Sequence, residues 1–492
     1  MEKYIIGIDQ STQGTKALLI DENGTICRRV DKPHKQIIND KGWVSHDPTE
    51  IYQNVIDVVA CLLEVTNVEK DEIVGVGISN QRETSLIWNR ATGEPLNHAV
   101  VWQCARATEL CEKIEQQGVF DLIHTRTGLK LSPYFPASKL AWLLENTDGA
   151  RELANRDELG MGTIDTWLVY KLTGGKVYKT DYSNASRTQL FNIFSLCWDE
   201  EICALFGIRP SCLPQVCDSN SSFGLTDFDG LLNHPIPIHG VLGDSHGSLF
   251  GQGCLNSGMT KATYGTGSSI MMNIGETPVL STHGLVTSIA WGMDHKVNYV
   301  LEGNLNYTGA CITWLRDSLH MIDSPNETEQ LAQEAVQNDT LYLIPAFTGL
   351  GAPYWDSHAK AAFVGMSRTT GRNELVRATL ESITFQITDI VTAMEKDSKI
   401  KIHELRVDGG PTNNRFLMQF QSNIANTTVQ VPKSKELSAI GPVYATGLAL
   451  GVWDETIFDK LQRSKYEPNM DAKVRKEKYG GWKQAVKMIL SR

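Results

Sequence analysis

The strongest constraint on this chain is an alternation of strand and helix signals that carries one tight polar hairpin in each half. Residues 4–8 form an apolar run that reads as a buried strand, and residues 16–21 read as its partner. The short joining segment Asp9-Gln10-Ser11-Thr12-Gln13-Gly14-Thr15 predicts a hairpin rather than a strand-to-helix turn. Residues 260–273 repeat the plan around Gly265-Thr266-Gly267-Ser268-Ser269. Asp47-Pro48-Thr49-Glu50 offers an N-cap, a proline at the first helical position and a glutamate placed to close a capping box. Ile51, Val55, Val59 and Leu62 then share one helical face, and residues 73–78 make a further strand. Leu375, Ala378, Ile383, Ile387, Val391 and Met394 mark a long helix. Leu405-Arg406-Val407-Asp408 predicts a strand entering Gly409-Gly410-Pro411, before a helix that carries Phe416, Leu417, Phe420 and Ile424. This pattern favours α/β layers over an all-α or all-β fold and predicts two α/β domains, 1–253 and 254–492, facing a cleft. No sequence repeat is strong enough to prove that one half duplicates the other.

At 492 residues the chain has room for about three domains or two large ones. With 41% hydrophobic and 21% charged residues it has the composition of a folded protein rather than a disordered one. Its 46 basic and 57 acidic residues leave a formal net charge of −11, which argues against nucleic acid or an anionic membrane as partner. The ten cysteines include no C-x-x-C pair, as expected of reduced thiols in a cytoplasmic protein. The N-terminus lacks the length of apolar run that a signal peptide needs, and no apolar run approaches a membrane span.

Neither G-x-x-x-x-G-K-[ST] nor a strand-following G-x-G-x-x-G occurs, so the sequence argues against both a P-loop and a dinucleotide-binding Rossmann domain. What remains are two turns dense in backbone N–H groups and hydroxyls. Taken singly, each is an ordinary hairpin. Paired across two halves, they can surround a polyphosphate from two sides. Asp9, at the head of the first turn, can hold Mg²⁺ through its water shell.

Tyr134-Phe135-Pro136-Ala137-Ser138-Lys139-Leu140-Ala141-Trp142-Leu143-Leu144-Glu145-Asn146 resembles the first signature of the FGGY carbohydrate kinases. Asn80-Gln81-Arg82-Glu83-Thr84, Val101-Trp102-Gln103-Cys104 and Asp181-Tyr182-Ser183-Asn184-Ala185-Ser186-Arg187-Thr188 are similar to the glycerol kinase branch of that family. So are the run from Ala346 to Asp356 and Phe416-Leu417-Met418-Gln419-Phe420-Gln421-Ser422. The resemblance runs through nearly the whole chain. It implies two actin-like (ribonuclease H-like) domains with ATP and acceptor in the cleft between them, and transfer of the γ-phosphoryl group of MgATP to a hydroxyl of a polyol or sugar.

Residue by residue, the resemblance makes Asp244 the general base, at the end of the strand 238–243. It associates Asp9 with Mg²⁺ and places Thr12, Gln13, Gly14 and Lys16 in the first phosphate motif, where the family usually carries arginine at the last position. Thr266 and Gly267 fall in the second phosphate motif, with Gly309 near the nucleotide. Gly410 and Asn414 match adenosine positions, and Thr313 stands where a glutamine is usual. Arg82 and Glu83 match the pair that binds polyol hydroxyls, and Trp102 and Tyr134 match acceptor-wall positions. The expected partner is a small polyol or sugar, and a homodimer or homotetramer is the assembly left open.

Two acceptor positions depart from the pattern. Ser245 replaces a glutamine and Ser269 replaces a phenylalanine, which predicts a wider, more polar pocket. Extra hydroxymethyl groups of a four- or five-carbon polyol or ketose could then meet Ser245, Ser269 or His246. The alternatives are a true glycerol kinase and, more remotely, a non-catalytic actin-like nucleotide-binding protein. The second has no use for a retained Asp244.

Overall fold

The computed structural model describes residues 2–336 and 340–491. The first hairpin forms as expected: Tyr4–Gln10 pairs antiparallel with Gly14–Asp21, and Asp9 lies opposite Lys16. Ile26–Pro33 extends it on one side, while Ile73–Asn80 and then Ile236–Gly243 add parallel strands on the other, with Leu225–Thr226 at the edge. The helix Pro48–Glu64 buries Ile51, Val55, Val59 and Leu62 against this sheet. Asp47 caps it by accepting from the Thr49 N–H. Glu50 does not close a capping box. Its carboxylate turns to the backbone N–H of Lys35, a loop donor that has no ladder partner of its own.

The second sheet has the same plan. Thr260–Tyr264 pairs antiparallel with Ser268–Gly275, which pairs antiparallel with Lys296–Leu305. On the other side Glu404–Asp408 and Thr428–Pro432 run parallel, and the 27-residue helix Arg372–Ser398 precedes them as Pro48–Glu64 precedes its parallel strand. The duplication that the sequence alone does not prove is therefore explicit in connectivity. Each half has three adjacent antiparallel strands and then two parallel ones, the second half adding Val286–Met293 outside Lys296–Leu305, and each second parallel strand leads into a buried helix, Asp244–Gly251 in one half and Leu437–Ala449 in the other.

Those two helices cross at the centre of the molecule. A Cβ on Gly441 would lie 1.9 Å from the Gly247 carbonyl oxygen, and one on Gly251 would lie 2.5 Å from that of Leu437. Their backbones thus touch directly, with no room for side chains. The helix Leu437–Ala449 also rests on the first sheet, where a Cβ on Gly77 would meet the Pro442 carbonyl at 2.5 Å. Its apolar residues join Ile5, Leu18 and Leu249 of the first half with Met271 and Val300 of the second in one core. Among the described residues no helix is long and apolar enough to cross a membrane.

Candidate active site

Asp244 is the first residue of its helix, delivered to the cleft floor by the strand Ile236–Gly243. One carboxylate oxygen accepts from the Ser245 N–H at 2.6 Å and lies 3.3 Å from Arg82 Nε. The group sits deep among protein atoms, yet 36% of its side-chain surface opens to the cleft. Burial pushes its carboxyl up to about 6, with Arg82 pulling it down and Glu83 pushing it further up.

Around it lies a lattice of buried charge. Arg82 donates from both terminal nitrogens to Glu302, at 2.8 and 3.2 Å. Arg187 donates to Glu83 and to Glu302, each at 2.7 Å, and Ser269 donates to Glu302 at 3.2 Å. None of the four charged residues is more than 5% exposed. Burial alone would protonate Glu302, but the two guanidiniums hold it well below the usual carboxylate range. Glu302 comes from the second sheet and the other three from the first half, so the lattice joins the two lobes. Arg82 Nε is turned to the Asp244 carboxylate, and Arg187 Nη2 is buried with no hydrogen-bond acceptor among the described residues.

Trp102 and Tyr134 form an edge-to-face pair with ring centres 5.7 Å apart. The Trp102 indole N–H donates to Thr12 Oγ1 at 2.9 Å, tying the aromatic wall to the first turn. His246 is fully buried with no partner on either ring nitrogen, and its surroundings, burial first, keep it neutral. It therefore does not face the cleft, and the expectation that it could meet an acceptor hydroxyl is corrected. Ser269 spends its hydroxyl on Glu302.

In the first turn, Gly14 accepts from Ser11 N–H and Oγ at 2.9 Å each. A Cβ there would meet the Lys32 carbonyl oxygen at 2.5 Å. Gln13 is exposed, and its carbonyl accepts from the His34 N–H. Lys16 lies between two carboxylates, 3.3 Å from Asp9 and 3.1 Å from Glu436. A phosphate contact by Lys16 would thus compete with both. Burial raises the Asp9 carboxyl above its usual value, and the Lys16 ammonium opposes the shift.

A cavity of about 470 Å³ opens beside the second turn. It gathers Thr266, Gly309, Thr313, Gly410 and Asn414 from three separate segments. The Thr266 carbonyl accepts from Thr308 and Ala310 N–H, and Gly309 N–H donates to the Gly265 carbonyl at 2.9 Å, docking the turn on the start of the helix Gly309–Asp317. Gly267 forms the neck, where a Cβ would sit 2.1 Å from the Leu305 carbonyl oxygen. Asn414 caps the helix Arg415–Ala425 and donates to Thr328, which also lines the cavity. Thr12, Gln13, Gly14 and Lys16 are not part of this lining and stand on the first hairpin.

Sequence reasoning missed Arg187 and Glu302 as site members. The signal for Glu302 is a charge set directly after the apolar run Tyr299-Val300-Leu301, and for Arg187 its place in the motif that begins at Asp181. Thr328 and Glu329 of the cavity wall carry no such signal.

Residues 4–251 match the N-terminal domain of the FGGY family of carbohydrate kinases, and residues 260–450 match its C-terminal domain. Glycerol kinase of Staphylococcus haemolyticus is 45% identical across 99% of this chain and 98% of its own length. Glycerol kinase 1 of Thermotoga maritima is 47% identical, with 99% and 100% covered. The crystal structure of Plasmodium falciparum glycerol kinase with ADP superposes with a TM-score of 0.94 at 37% identity, covering 100% of this chain and 99% of that one. With matching models spanning both lobes, the chain is a phosphotransferase that uses ATP and belongs to the FGGY family of carbohydrate kinases.

Proposed function

We propose that the protein phosphorylates glycerol at the expense of ATP. The observation that carries the reading is the placement of Asp244: an open carboxylate at the cleft floor, raised to about 6 and fixed beside the Arg82–Glu302 pair. A hydroxyl is a poor nucleophile until a nearby base accepts its proton. Arg82 and Glu83 would orient the acceptor's hydroxyls, and Trp102 with Tyr134 would cover its carbon chain. Asp244 would take the proton as the oxygen attacks the γ-phosphorus, and ADP leaves. The turns 11–15 and 265–269 would hold the phosphates from two sides, with the base and ribose in the cavity beside Gly410 and Asn414.

Magnesium, when bound, supplies charge neutralisation on the phosphates. Among the described residues no cluster of three His, Cys, Asp or Glu side chains could cage it. A single buried carboxylate, Asp9, suits a cation that arrives with the nucleotide and keeps most of its waters. On this reading the lobes divide near residue 253, the enzyme works in the cytoplasm, and it assembles as a dimer or tetramer.

The longer acceptor is the second reading, favoured by the small side chains of Ser245 and Ser269. The relatives' names favour glycerol, and the engagement of Ser269 with Glu302 removes one of the hydroxyls offered to extra carbons. Measuring kcat/KM for glycerol, tetritols, pentitols and pentuloses by ADP release decides between them. Glycerol is expected to lead; a pentulose or tetritol ahead by tenfold or more overturns the proposal.

A further inference from the structure

A second cavity, of about 540 Å³, lies away from the cleft at the edge of the second sheet. Three adjacent strands build its floor. Arg406 pairs with Gln430 and Gln430 with Lys465, so the three side chains stand in one row on one face. Arg463, two residues before Lys465, shares that face. Arg406 and Arg463 both donate to the Gln252 carbonyl, at 2.6 Å each, so the two guanidiniums are neighbours. Arg406 has a counter-ion, Glu404 at 2.6 Å. Arg463 has none within 4.0 Å among the described residues, and its Nε is buried without an acceptor. Burial, and then Arg406, hold Arg463 below its usual value, so the guanidinium is destabilised as it stands. The carbonyls of Gln252 and Leu461 cap the two terminal nitrogens of Arg463, at 2.6 and 3.4 Å, and leave its charge unanswered.

We propose that this face binds a small phosphate monoester that also carries hydroxyl groups. The phosphate would lie against Arg463 and Lys465 with Gln430 beside it, since a planar guanidinium fork matches phosphate oxygens. Glu455 and Asp459 line the same cavity and suit hydroxyl donors, while they disfavour a ligand with several phosphates. The carbonyl that both arginines hold belongs to Gln252, whose side chain donates to Asp408 at 3.1 Å, two residues before Gly410 of the nucleotide cavity. Occupancy would thus be felt at the junction of the two sites.

Titration calorimetry of the whole protein with inorganic phosphate, glucose 6-phosphate and glucose tests the site. Both phosphates should bind with dissociation constants in the millimolar range or tighter, glucose 6-phosphate the more tightly, and glucose should not bind. Arg463→Met should weaken glucose 6-phosphate binding about tenfold. Lys465→Gln, an exposed edge change that leaves the arginine–carbonyl bonds in place, should weaken it about threefold with kcat unchanged. No heat from the wild type at about 10 mM ligand, or equal affinity in both variants (an anion in the cleft instead), overturns the proposal. Binding is read without turnover, so its failure leaves the kinase assignment standing.

Discussion

The two sides of the cleft solve different problems with different chemistry. On the acceptor side four buried charges, Arg82, Glu83, Arg187 and Glu302, lock one another and flank Asp244. On the nucleotide side the cavity wall is built from glycines, threonines and asparagines, with Glu329 its one charged residue among the described lining. A neutral polyol offers only hydroxyls, so its place must be fixed by strong, directional, charge-assisted bonds. A polyphosphate brings its own charge and counter-ion, and backbone N–H groups at close-packed turns suffice to position it. The charged side should therefore fail abruptly when altered, and the neutral side by degrees.

Asp244→Asn gives the largest expected effect. Loss of the base should lower kcat on the order of a thousandfold while both KM values hold. Activity that survives unchanged in that variant refutes the catalytic assignment. In the wild type kcat/KM should rise with pH through about 6 as Asp244 ionises, and the asparagine variant should lack that limb. The stability contribution of Asp244 has the opposite sign. Its folded value lies above the ordinary 3.8, so its contribution is complete below that value and lost as pH rises through about 6. The site gains a working base in the same interval in which the fold loses a little support.

Glu302→Gln should come next, because it strands two buried guanidiniums. We expect a loss of about 3–5 kcal/mol of stability, read as a lowered Tm. A Tm within a degree of wild type would show that the lattice is wetter than its burial implies. Gly267→Ala tests the neutral side: the new methyl must displace the Leu305 carbonyl, and the KM for ATP should rise by about tenfold to a hundredfold, with the KM for acceptor little changed. Trp102→Phe is the mildest. It keeps the apolar wall but removes the bond to Thr12, worth about 1 kcal/mol, so kcat/KM should fall several-fold. Combined with Thr12→Val the loss should be less than the sum, since both changes remove one bond.

Both hairpins and the long helices were legible in the sequence because they obey short-range rules: turn residues between apolar runs, and apolar spacing along a face. Asp244 was legible only through resemblance, since an aspartate after a strand is usually a turn or cap residue. Glu302 and Arg187 were not, because their meaning lies in partners far away along the chain. Glu302 pairs with Arg82 across 220 positions and with Arg187 across 115. Lys16 was legible as a cation but not as one already engaged, for Glu436 reaches it from 420 positions along the chain. The duplicated connectivity left no trace in residue identity because topology constrains spacing and burial, not side-chain names.

The glycine crossing at the centre has a mechanical consequence. The helices that meet at Gly247 and Gly441 touch through bare peptide planes, with no side chain between them that could give way. Such a joint has no tolerance. A single methyl at Gly441 would lie 1.9 Å from the Gly247 carbonyl oxygen, so it could be seated only by driving the two helices apart. With them would go the core that ties Ile5 and Leu18 of one half to Met271 and Val300 of the other.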